Sequence, residues 1–275
     1  MTYAVRSATV RFGDTVALDD VSLAIEPGSV VAVVGGDGAG KTTLLRSIVG
    51  EVRLDSGEVV VPAPEAMGYL PASSGSWSAL TVSQNMDFVG GIYGLTGAAL
   101  ASRRAEMLER TALTDAADRP ASQLSGGMRR KLGFGMTMLH EPPLLVLDEP
   151  STGVDPVSRI DLWRLVSEAA AAGAAVVMST TYLDEAERAA SLLALDAGRV
   201  IAAGTLDEVL ATFQGSMVRT TSPDRRALAW RRGRVFHEYR PPGTPVPDGA
   251  DVVPPDLEDV LIALSLLRRE EEATT

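Results

Sequence analysis

The stretch VVAVVGGDGAGKTT, residues 30–43, places five consecutive apolar residues directly before a glycine-rich turn. The apolar run predicts a strand that is buried on both faces, and the residues after the turn predict a helix. Between them the turn has the pattern G-x-x-x-x-G-K-T, from Gly35 to Thr42. A strand, a glycine loop of this pattern and a helix in succession predict a phosphate-binding loop, the P-loop.

Phosphate binding by such a loop is electrostatic. Successive backbone amides and the N-terminus of the helix face the phosphates, Lys41 supplies a full positive charge, and the Thr42 hydroxyl is a ligand for Mg²⁺. Asp37 departs from this logic, because a carboxylate in a phosphate cradle repels the ligand unless it points outward. The residues predicted to contact a nucleotide here are Gly35, Gly38, Ala39, Gly40, Lys41, Thr42 and Thr43.

A second apolar strand, LLVLDEP at residues 144–150, ends in Asp148 and Glu149. Parallel sheets present ligand-binding groups at the carboxyl ends of their strands. Asp148 is therefore predicted to hold Mg²⁺, usually through water, and Glu149 to orient or deprotonate an attacking water. By itself an acidic strand end is as often a helix cap, but the preceding P-loop favours the catalytic interpretation.

A third motif, LSGGM at residues 124–128, starts an amphipathic helix with basic residues at 129–131. Ser125 can cap that helix, and Gly126 and Gly127 leave backbone amides uncovered for an anion. This is a second anion-binding helix start, although one nucleotide does not obviously need two. As an isolated cap and helix, the motif carries no functional signal.

The composition limits the classes to which the chain can belong. Its 275 residues and 45% apolar content suffice for one large domain with a small appendage. A formal net charge of -11 disfavours general affinity for nucleic acid or anionic lipid. The absence of cysteine excludes disulfides, thiolate catalysis and cysteine zinc sites, and it fits an intracellular location. No run approaches the ~20 apolar residues of a membrane span, so any membrane crossing is expected of another chain.

Along the chain, predicted strands alternate with predicted helices, which indicates an α/β fold with a parallel sheet wrapped by helices. Short strands open the sequence, and a helical insert is predicted from about residue 81. A strand at 174–178 is followed by a helix predicted over 183–190. From residue 215 the chain changes to an arginine-rich segment, a proline-rich loop at 241–255 and a terminal helix from Asp256.

The order and spacing of GGDGAGKTT, LSGGM, LLVLDEP and STGVDP resemble the nucleotide-binding subunit of ATP-binding cassette (ABC) transporters. The resemblance extends from residue 3 to about 213. It implies a P-loop NTPase of the cassette type, with an N-terminal antiparallel β subdomain, a helical subdomain at about 81–140 and a small C-terminal appendage. The implied domains are a cassette at 1–214 and an appendage at 215–275.

The resemblance also implies the ligands ATP and Mg²⁺, and it explains the second anion-binding helix. In this family two cassettes bind head to tail, and each ATP lies between one P-loop and the serine-glycine turn (Ser125, Gly126 and Gly127) of the partner. Asp155, at the end of STGVDP, belongs to the same implied site. Phe12 resembles the aromatic residue that stacks on adenine, although an aromatic strand residue is at least as often a core residue.

Two further details, the three basic residues after LSGGM and the ending PPDLEDVLIALSLLRRE, resemble ATPase subunits of bacterial drug-resistance and ABC-2-type exporters. The resemblance implies an ATP hydrolase that drives a separate integral-membrane permease, as a peripheral subunit on the cytoplasmic face of the membrane. Residues 73–82 occupy the place where such subunits dock the permease. Trp77 is the expected contact, and packing within its own loop is the alternative.

Two positions depart from the family pattern. In VVMSTTYLDEAE, residues 176–187, the family has a histidine at the position of Thr181, where it contacts the γ-phosphate and the attacking water. Ala72 replaces a glutamine that senses Mg²⁺ and the γ-phosphate. We therefore expect the chain to bind ATP but to hydrolyse it slowly, with Thr181 in the catalytic position. Capping of the next helix is the alternative role for the hydroxyls at 179–181.

The expected partner, besides the permease, is a second and fully equipped cassette in a heterodimer, with a homodimer as the alternative. No nucleic acid partner is expected. Two other functions stay open. One is a soluble cassette ATPase that acts on ribosomes or nucleic acid, which the acidic charge disfavours. The other is a regulatory subunit that binds ATP without hydrolysing it.

Overall fold

The computed structural model describes residues 2–274, with side chains up to Glu270. The strands are β1 (Tyr3–Phe12), β2 (Thr15–Ile25), β3 (Val30–Val34), β4 (Ser56–Val60), β5 (Met67–Leu70), β6 (Leu144–Leu147), β7 (Ala175–Thr180), β8 (Ser191–Asp196), β9 (Arg199–Gly204), β10 (Ser216–Thr220), β11 (Ala229–Arg232), β12 (Val235–Arg240) and β13 (Asp251–Val253). The α-helices are α1 (Lys41–Ile48), α2 (Val82–Ile92), α3 (Gly97–Arg110), α4 (Gly126–Thr137), α5 (Pro156–Ala171), α6 (Leu183–Ala186), α7 (Leu206–Ala211) and α8 (Leu257–Thr274).

The central sheet has the strand order β5-β6-β7-β3-β8-β9. Strand β3, in which all five residues are buried, pairs in parallel with β7 and β8. The pairs β5-β6 and β6-β7 are also parallel, whereas β9 runs antiparallel at one edge. Continuous apolar runs such as those of β3 and β6 suit strands that are covered on both faces. The predicted parallel sheet is confirmed.

A separate antiparallel sheet of three strands, in the order β2-β1-β4, packs against one face of the central sheet. Helix α1 lies in the core that the two sheets share, where Leu44, Leu45 and Ile48 belong to the same buried apolar cluster as residues of β1, β2 and β3. Burial of a side chain of this size stabilises a fold by about 1.5–3 kcal/mol. The start of α1, and with it the P-loop, is therefore held by apolar contacts on both sides.

The helical subdomain packs on the opposite face. Helices α2, α3 and α4 share a core with α5 and with β6 and β7, in which Met86, Met107, Leu132 and Phe134 are almost completely buried. Thr81 caps α2 and forms a capping box with Gln84. The predicted α/β fold, with its antiparallel β subdomain and helical insert, is confirmed.

Two predicted elements differ in the structure. Helix α6 spans only Leu183–Ala186, instead of 183–190, because the chain turns at once into β8. The stretch 241–255 is not entirely loop, since Asp251–Val253 forms β13 and pairs with β10. Short apolar residues among prolines gave no periodic pattern from which this edge strand could be predicted.

Beyond residue 214 the chain forms a second antiparallel sheet in the order β11-β12-β10-β13. Helix α8 connects this sheet to the cassette, because Leu257 and Val260 pack with Ala32 and Val34 of β3, whereas Ala263 packs with Tyr239. The domain division at residue 214 stays a prediction, and its outer limits, residues 1 and 275, lie outside the described residues. Within residues 2–274, no helix has the length and apolar character to span a bilayer.

Candidate nucleotide-binding site

The P-loop after β3 has a backbone that only glycine permits at two positions. Gly35 has φ 153° and Gly40 has φ 105°. A Cβ atom would lie 2.3 Å from the Leu195 carbonyl oxygen at Gly35, and 2.6 Å from the Ala17 carbonyl oxygen at Gly40. Any side chain at either position would collide with backbone, so the two glycines fix the shape of the loop.

Lys41 lies inside this loop and is 5% exposed. Its Nζ donates hydrogen bonds to the carbonyl oxygens of Gly35 at 2.8 Å and Gly36 at 3.1 Å. The same atom is 3.7 Å from Oε1 of Glu149. A positive charge is thus held at the centre of the predicted cradle, next to the predicted catalytic carboxylate.

The cavity beside the loop has a volume of about 390 Å³. Its lining includes six of the seven residues predicted to contact the nucleotide, together with Glu149 and the first residues of β2. Asp37 also lines this cavity but is exposed, which agrees with an outward orientation. The P-loop residues in the lining are Gly38, Ala39, Gly40, Lys41, Thr42 and Thr43 as well as Asp37.

Asp148, directly after β6, is 1% exposed and meets the start of α1. Its Oδ1 accepts hydrogen bonds from Thr42 Oγ1 at 3.2 Å and from Ser179 Oγ at 2.7 Å. Its Oδ2 is buried and has no hydrogen-bond partner among the described residues. A hydroxyl beside a carboxylate with a spare oxygen fits Mg²⁺, which takes one or two protein ligands and completes its shell with water and substrate phosphates.

Glu149 has a left-handed backbone, with φ 48°. Such a conformation is unfavourable for a side chain larger than glycine, so it needs local contacts to hold it. It is fixed by a hydrogen bond of 2.9 Å from the Glu149 amide to Ser179 Oγ. The carboxylate is 22% exposed, so it can reach water while it faces Lys41.

The three hydroxyls at the end of β7 have different surroundings. Ser179 and Thr180 are buried, whereas Thr181 is exposed. Thr180 Oγ1 donates to Glu185 Oε2 at 2.6 Å and accepts from the Tyr182 amide at 3.0 Å. No side chain caps the N-terminus of α6, so the capping role proposed for these hydroxyls is wrong for that helix.

Glu185 is a buried residue that the sequence did not indicate. Besides Thr180, it accepts hydrogen bonds from Ser151 Oγ at 2.9 Å and from Arg159 Nε at 3.3 Å. These contacts join the end of β7 to the segment after Glu149 and to α5. In the sequence, one acidic residue in a short helix does not stand out as a site residue. The run of three hydroxyls before it did draw attention to this segment.

The serine-glycine turn lies at the start of α4. Ser125 Oγ accepts from the Met128 amide at 3.2 Å, and Ser125 and Gly126 are exposed. Gly127 is buried against α5, where a Cβ atom would lie 2.6 Å from Ser158 Oγ. None of these three residues lines the cavity at the P-loop, as far as residues 2–274 show. Within one chain, the two predicted anion-binding helix starts therefore belong to different surfaces.

Asp155 caps α5 next to the serine-glycine turn. Its Oδ1 accepts hydrogen bonds from the amides of Val157 at 3.1 Å and Ser158 at 3.0 Å. The hydrogen bonds from Ser158, and then that from Val157, hold the pKa of Asp155 below its usual range. Asp155 and the serine-glycine turn form one polar surface, with a carboxylate that stays charged at neutral pH.

Two remaining predicted residues lie at the edges of the site. Phe12, at the end of β1, is 56% exposed, which excludes a core role for its ring. The following residues Thr15, Val16 and Ala17 line the cavity at the P-loop. Ala72 follows β5, and its carbonyl oxygen accepts a hydrogen bond from Arg130.

Known proteins with related sequences and folds agree with this geometry. The family model for ABC transporters matches residues 18–152. The chain is 38% identical over 220 residues to the probable multidrug ABC transporter ATP-binding protein YbhF of Escherichia coli strain K12, which covers 76% of this chain and 38% of YbhF. It is 37% identical over 239 residues to the daunorubicin resistance ATP-binding protein DrrA2 of Streptomyces coeruleorubidus, which covers 82% of this chain and 74% of that protein.

A solved structure of the ATP-binding subunit of an ABC transporter matches with a TM-score of 0.71 and 28% identity, and covers 78% of this chain and 93% of that one. The chain thus spans 38% of the length of YbhF but 74% of the length of DrrA2. The sequence match, the fold and the glycine loop beside a buried aspartate all indicate the same family. The chain belongs to the family of ABC transporter ATP-binding proteins.

Proposed function

We propose that this chain is the ATP-binding subunit of a membrane exporter, acting on a separate permease from the cytoplasmic face of the membrane. The observation that carries the proposal is the meeting of Lys41, Thr42 and Glu149 at one cavity, with Asp148 Oδ1 3.2 Å from Thr42 Oγ1. The relatives named for multidrug and daunorubicin resistance support the export direction. They also disfavour an action on ribosomes or nucleic acid, as does the net charge of -11.

Binding of MgATP is the first property to test. Lys41→Met is expected to weaken MgATP binding by about tenfold or more, because it removes the charge that faces the phosphates. Arg46→Met is the matched control, since Arg46 lies on the same helix, has a side chain that is 52% exposed and forms an ion pair of 3.7 Å with Glu51. Isothermal titration of both variants and the parent measures the difference. A parent chain that binds no MgATP contradicts the proposed function.

ATP hydrolysis would use Asp148 and Thr42 to hold Mg²⁺, which neutralises phosphate charge when bound. Glu149 would accept a proton from the attacking water or orient it. Lys41 would keep the phosphates in place. In this chain Thr181 and Ala72 supply neither the imidazole nor the amide of the family pattern, so its own site would turn ATP over slowly.

A second cassette would complete the site. Ser125 and Gly126 of the serine-glycine turn are exposed and do not line the P-loop cavity, which supports a nucleotide shared between two chains. The intact Ser125 and Asp155 of this chain would then serve the ATP of the partner. We favour a partner that carries the histidine and glutamine that this chain lacks, because a complex with one efficient site can still be driven by ATP.

The permease would dock at an apolar surface beside β5. Trp77, Phe88 and Ile92 are 44%, 49% and 65% exposed, and the rings of Trp77 and Phe88 meet at 4.7 Å. A cavity of about 230 Å³ lies between them and α4. Exposed aromatic groups beside a groove are typical of surfaces that bind an apolar helix.

This docking surface can be tested with Phe88→Glu, which puts a charge into the proposed contact. We expect the variant to lose co-purification with the permease while it keeps its MgATP affinity. Val252→Glu is the control, because Val252 is 54% exposed on β13, in the other sheet. Equal recovery of permease with Phe88→Glu and the parent contradicts this surface.

A further inference from the structure

Arg130 of α4 is buried to an unusual degree for an arginine, with 9% of its surface exposed. Its Nη1 donates to the Pro71 carbonyl oxygen at 3.0 Å, and its Nη2 donates to the Ala72 carbonyl oxygen. One planar guanidinium thus binds two consecutive carbonyls of the segment after β5 (residues 71–80, the β5 loop). A lysine ammonium carries its donors on one compact nitrogen and does not reproduce the two separate nitrogens of this rigid plane.

The β5 loop is attached to the helical subdomain at two further points. A Cβ atom on Gly133, one turn after Arg130, would lie 2.6 Å from the Ser74 carbonyl oxygen. At the other end, Asn85 Oδ1 accepts from the Trp77 amide at 2.8 Å, and Asn85 Nδ2 donates to the Trp77 carbonyl at 3.1 Å. The loop that carries Trp77 therefore lies directly on α4, whose first residues form the serine-glycine turn.

Arg130 also lies within electrostatic range of Asp148 and Glu149. Burial lowers the pKa of Arg130, whereas the nearby charges of Asp148 and Glu149 raise it. Asp148 is linked to the end of β5, one residue before the β5 loop, by a hydrogen bond of 2.8 Å from its amide to the Leu70 carbonyl. A change of charge around the two carboxylates therefore changes the electrostatic energy of the guanidinium that binds the β5 loop.

We propose that Arg130 is a positioning residue that ties the β5 loop to α4 and to the carboxylate pair, so that nucleotide binding moves the loop although Ala72 makes no side-chain contact. This inference rests on the proposed function, since it requires that MgATP binds at the P-loop. It assigns to Arg130 the transmission of nucleotide occupancy toward Trp77 and the proposed permease surface.

The test uses the absence of cysteine in the chain. Ser73→Cys, at an exposed position of the β5 loop, introduces a single thiol that can carry an environment-sensitive fluorophore. The labelled protein is titrated with Mg²⁺ and a non-hydrolysable ATP analogue. Calorimetry of the same samples gives the affinity of the analogue independently of the fluorescence.

We expect the label to respond to the analogue in the parent protein. With Arg130→Met the amplitude should fall by about fivefold or more, while the affinity for the analogue changes by less than about threefold. Arg130→Lys should also lose most of the response, because it keeps the charge but not the rigid fork of two nitrogens. It serves as the second variant if Arg130→Met unfolds. Arg129→Met, whose parent side chain makes a 3.4 Å contact with the Leu124 carbonyl, should keep the response.

Three results overturn the inference. They are an unchanged response with either Arg130 variant, a parent protein that binds the analogue without any response, and an equal loss of response with Arg129→Met. A parent protein that does not bind the analogue at all contradicts instead the proposed function. The calorimetric affinity separates that failure from the other three.

Discussion

At the scale of single residues, the proposed slow turnover rests on Thr181. Thr181 is exposed, and it lines a cavity of about 450 Å³ beside Gly35, Gly36 and Asp37 of the P-loop. Its neighbours Ser179 and Thr180 are already engaged with Asp148 and Glu185. The cavity consequently has space for a larger side chain at position 181, and replacing the exposed Thr181 would remove no buried contact.

The paired substitution Thr181→His with Ala72→Gln is therefore expected to raise ATP turnover by about 10²-fold, the usual effect of a positioned acid or base. Steady-state phosphate release from the purified chain at saturating MgATP measures it. The same pair in a Glu149→Gln background is the control and should show no rise. Unchanged turnover with intact nucleotide affinity would contradict the assigned roles of the two positions.

The sequence indicated the residues that the structure brings to the P-loop cavity, such as Lys41, Thr42 and Glu149, because P-loop chemistry demands fixed residue types at fixed spacing. It did not predict Ser179, Glu185 or Arg130. Ser179 positions Asp148 and Glu149 from another strand, and Arg130 reaches the β5 loop from 58 residues away along the chain. Such contacts depend on the packing of elements and leave no local pattern.

At the scale of elements, the contact between α4 and α5 holds the serine-glycine turn next to Asp155. Gly127 permits this approach, because a Cβ atom there would lie 2.6 Å from Ser158 Oγ and 2.8 Å from Ser158 Cβ. A rigid pair of helix starts would present Ser125 and Asp155 to a partner as a single surface.

Gly127→Ala is expected to separate the two helix starts and to cost about 1–3 kcal/mol of unfolding free energy, as overpacking does. Adding Ser158→Gly should restore part of the loss. Gly91→Ala is the matched control, since a Cβ there meets nothing within 4 Å. Denaturant unfolding measures each variant. A Gly127→Ala chain as stable as Gly91→Ala would contradict the packing described here.

Buried strands were the elements most readily predicted, since β3, β6 and β7 are continuous apolar runs that end in polar groups. Helix α6 and strand β13 were not predicted correctly. Both are short and are set by their neighbours, α6 by the immediate return into β8 and β13 by pairing with β10. Propensity carries little information over three or four residues.

At the scale of the whole molecule, α8 binds the end of β8, next to the segment that contacts the P-loop. Asp196 Oδ2 accepts hydrogen bonds from Ser265 Oγ and from Arg268 Nη2, both at 2.6 Å. Two residues later, the Gly198 amide donates to the Ala39 carbonyl at 3.0 Å. The terminal helix thus supports the turn on which the nucleotide loop rests.

This attachment should depend on pH. Burial disfavours the charged form of Asp196, but the hydrogen bonds from Ser265 and Arg268 outweigh it and hold the pKa below its usual range. A lowered pKa in the folded state means that the stabilisation is present above the unfolded value of about 3.9 and is lost as the pH falls through the folded pKa.

Asp196→Asn should accordingly lower the melting temperature at pH 7, and the difference from the parent should shrink at pH values below about 4. Asp207→Asn, at an exposed position of α7, is the control. Thermal unfolding at several pH values measures both variants. A difference that stays constant from pH 7 to pH 3 would show that Asp196 does not contribute through its charge.

The order of layers could be predicted from the sequence, because alternating strands and helices allow few arrangements. The packing of α8 on β3 could not, since an amphipathic terminal helix does not reveal which surface it covers. Its apolar residues serve two cores, one with β3 and one with the second sheet.

The central claim is that this chain binds MgATP in an intact cradle but turns it over slowly, because Thr181 and Ala72 stand where the family has histidine and glutamine. Turnover of the purified chain, measured together with MgATP affinity, tests it most directly. We predict saturable binding with turnover below about 0.1 per second, about 10²-fold under a typical enzyme. A turnover of several per second that disappears with Glu149→Gln would contradict the claim.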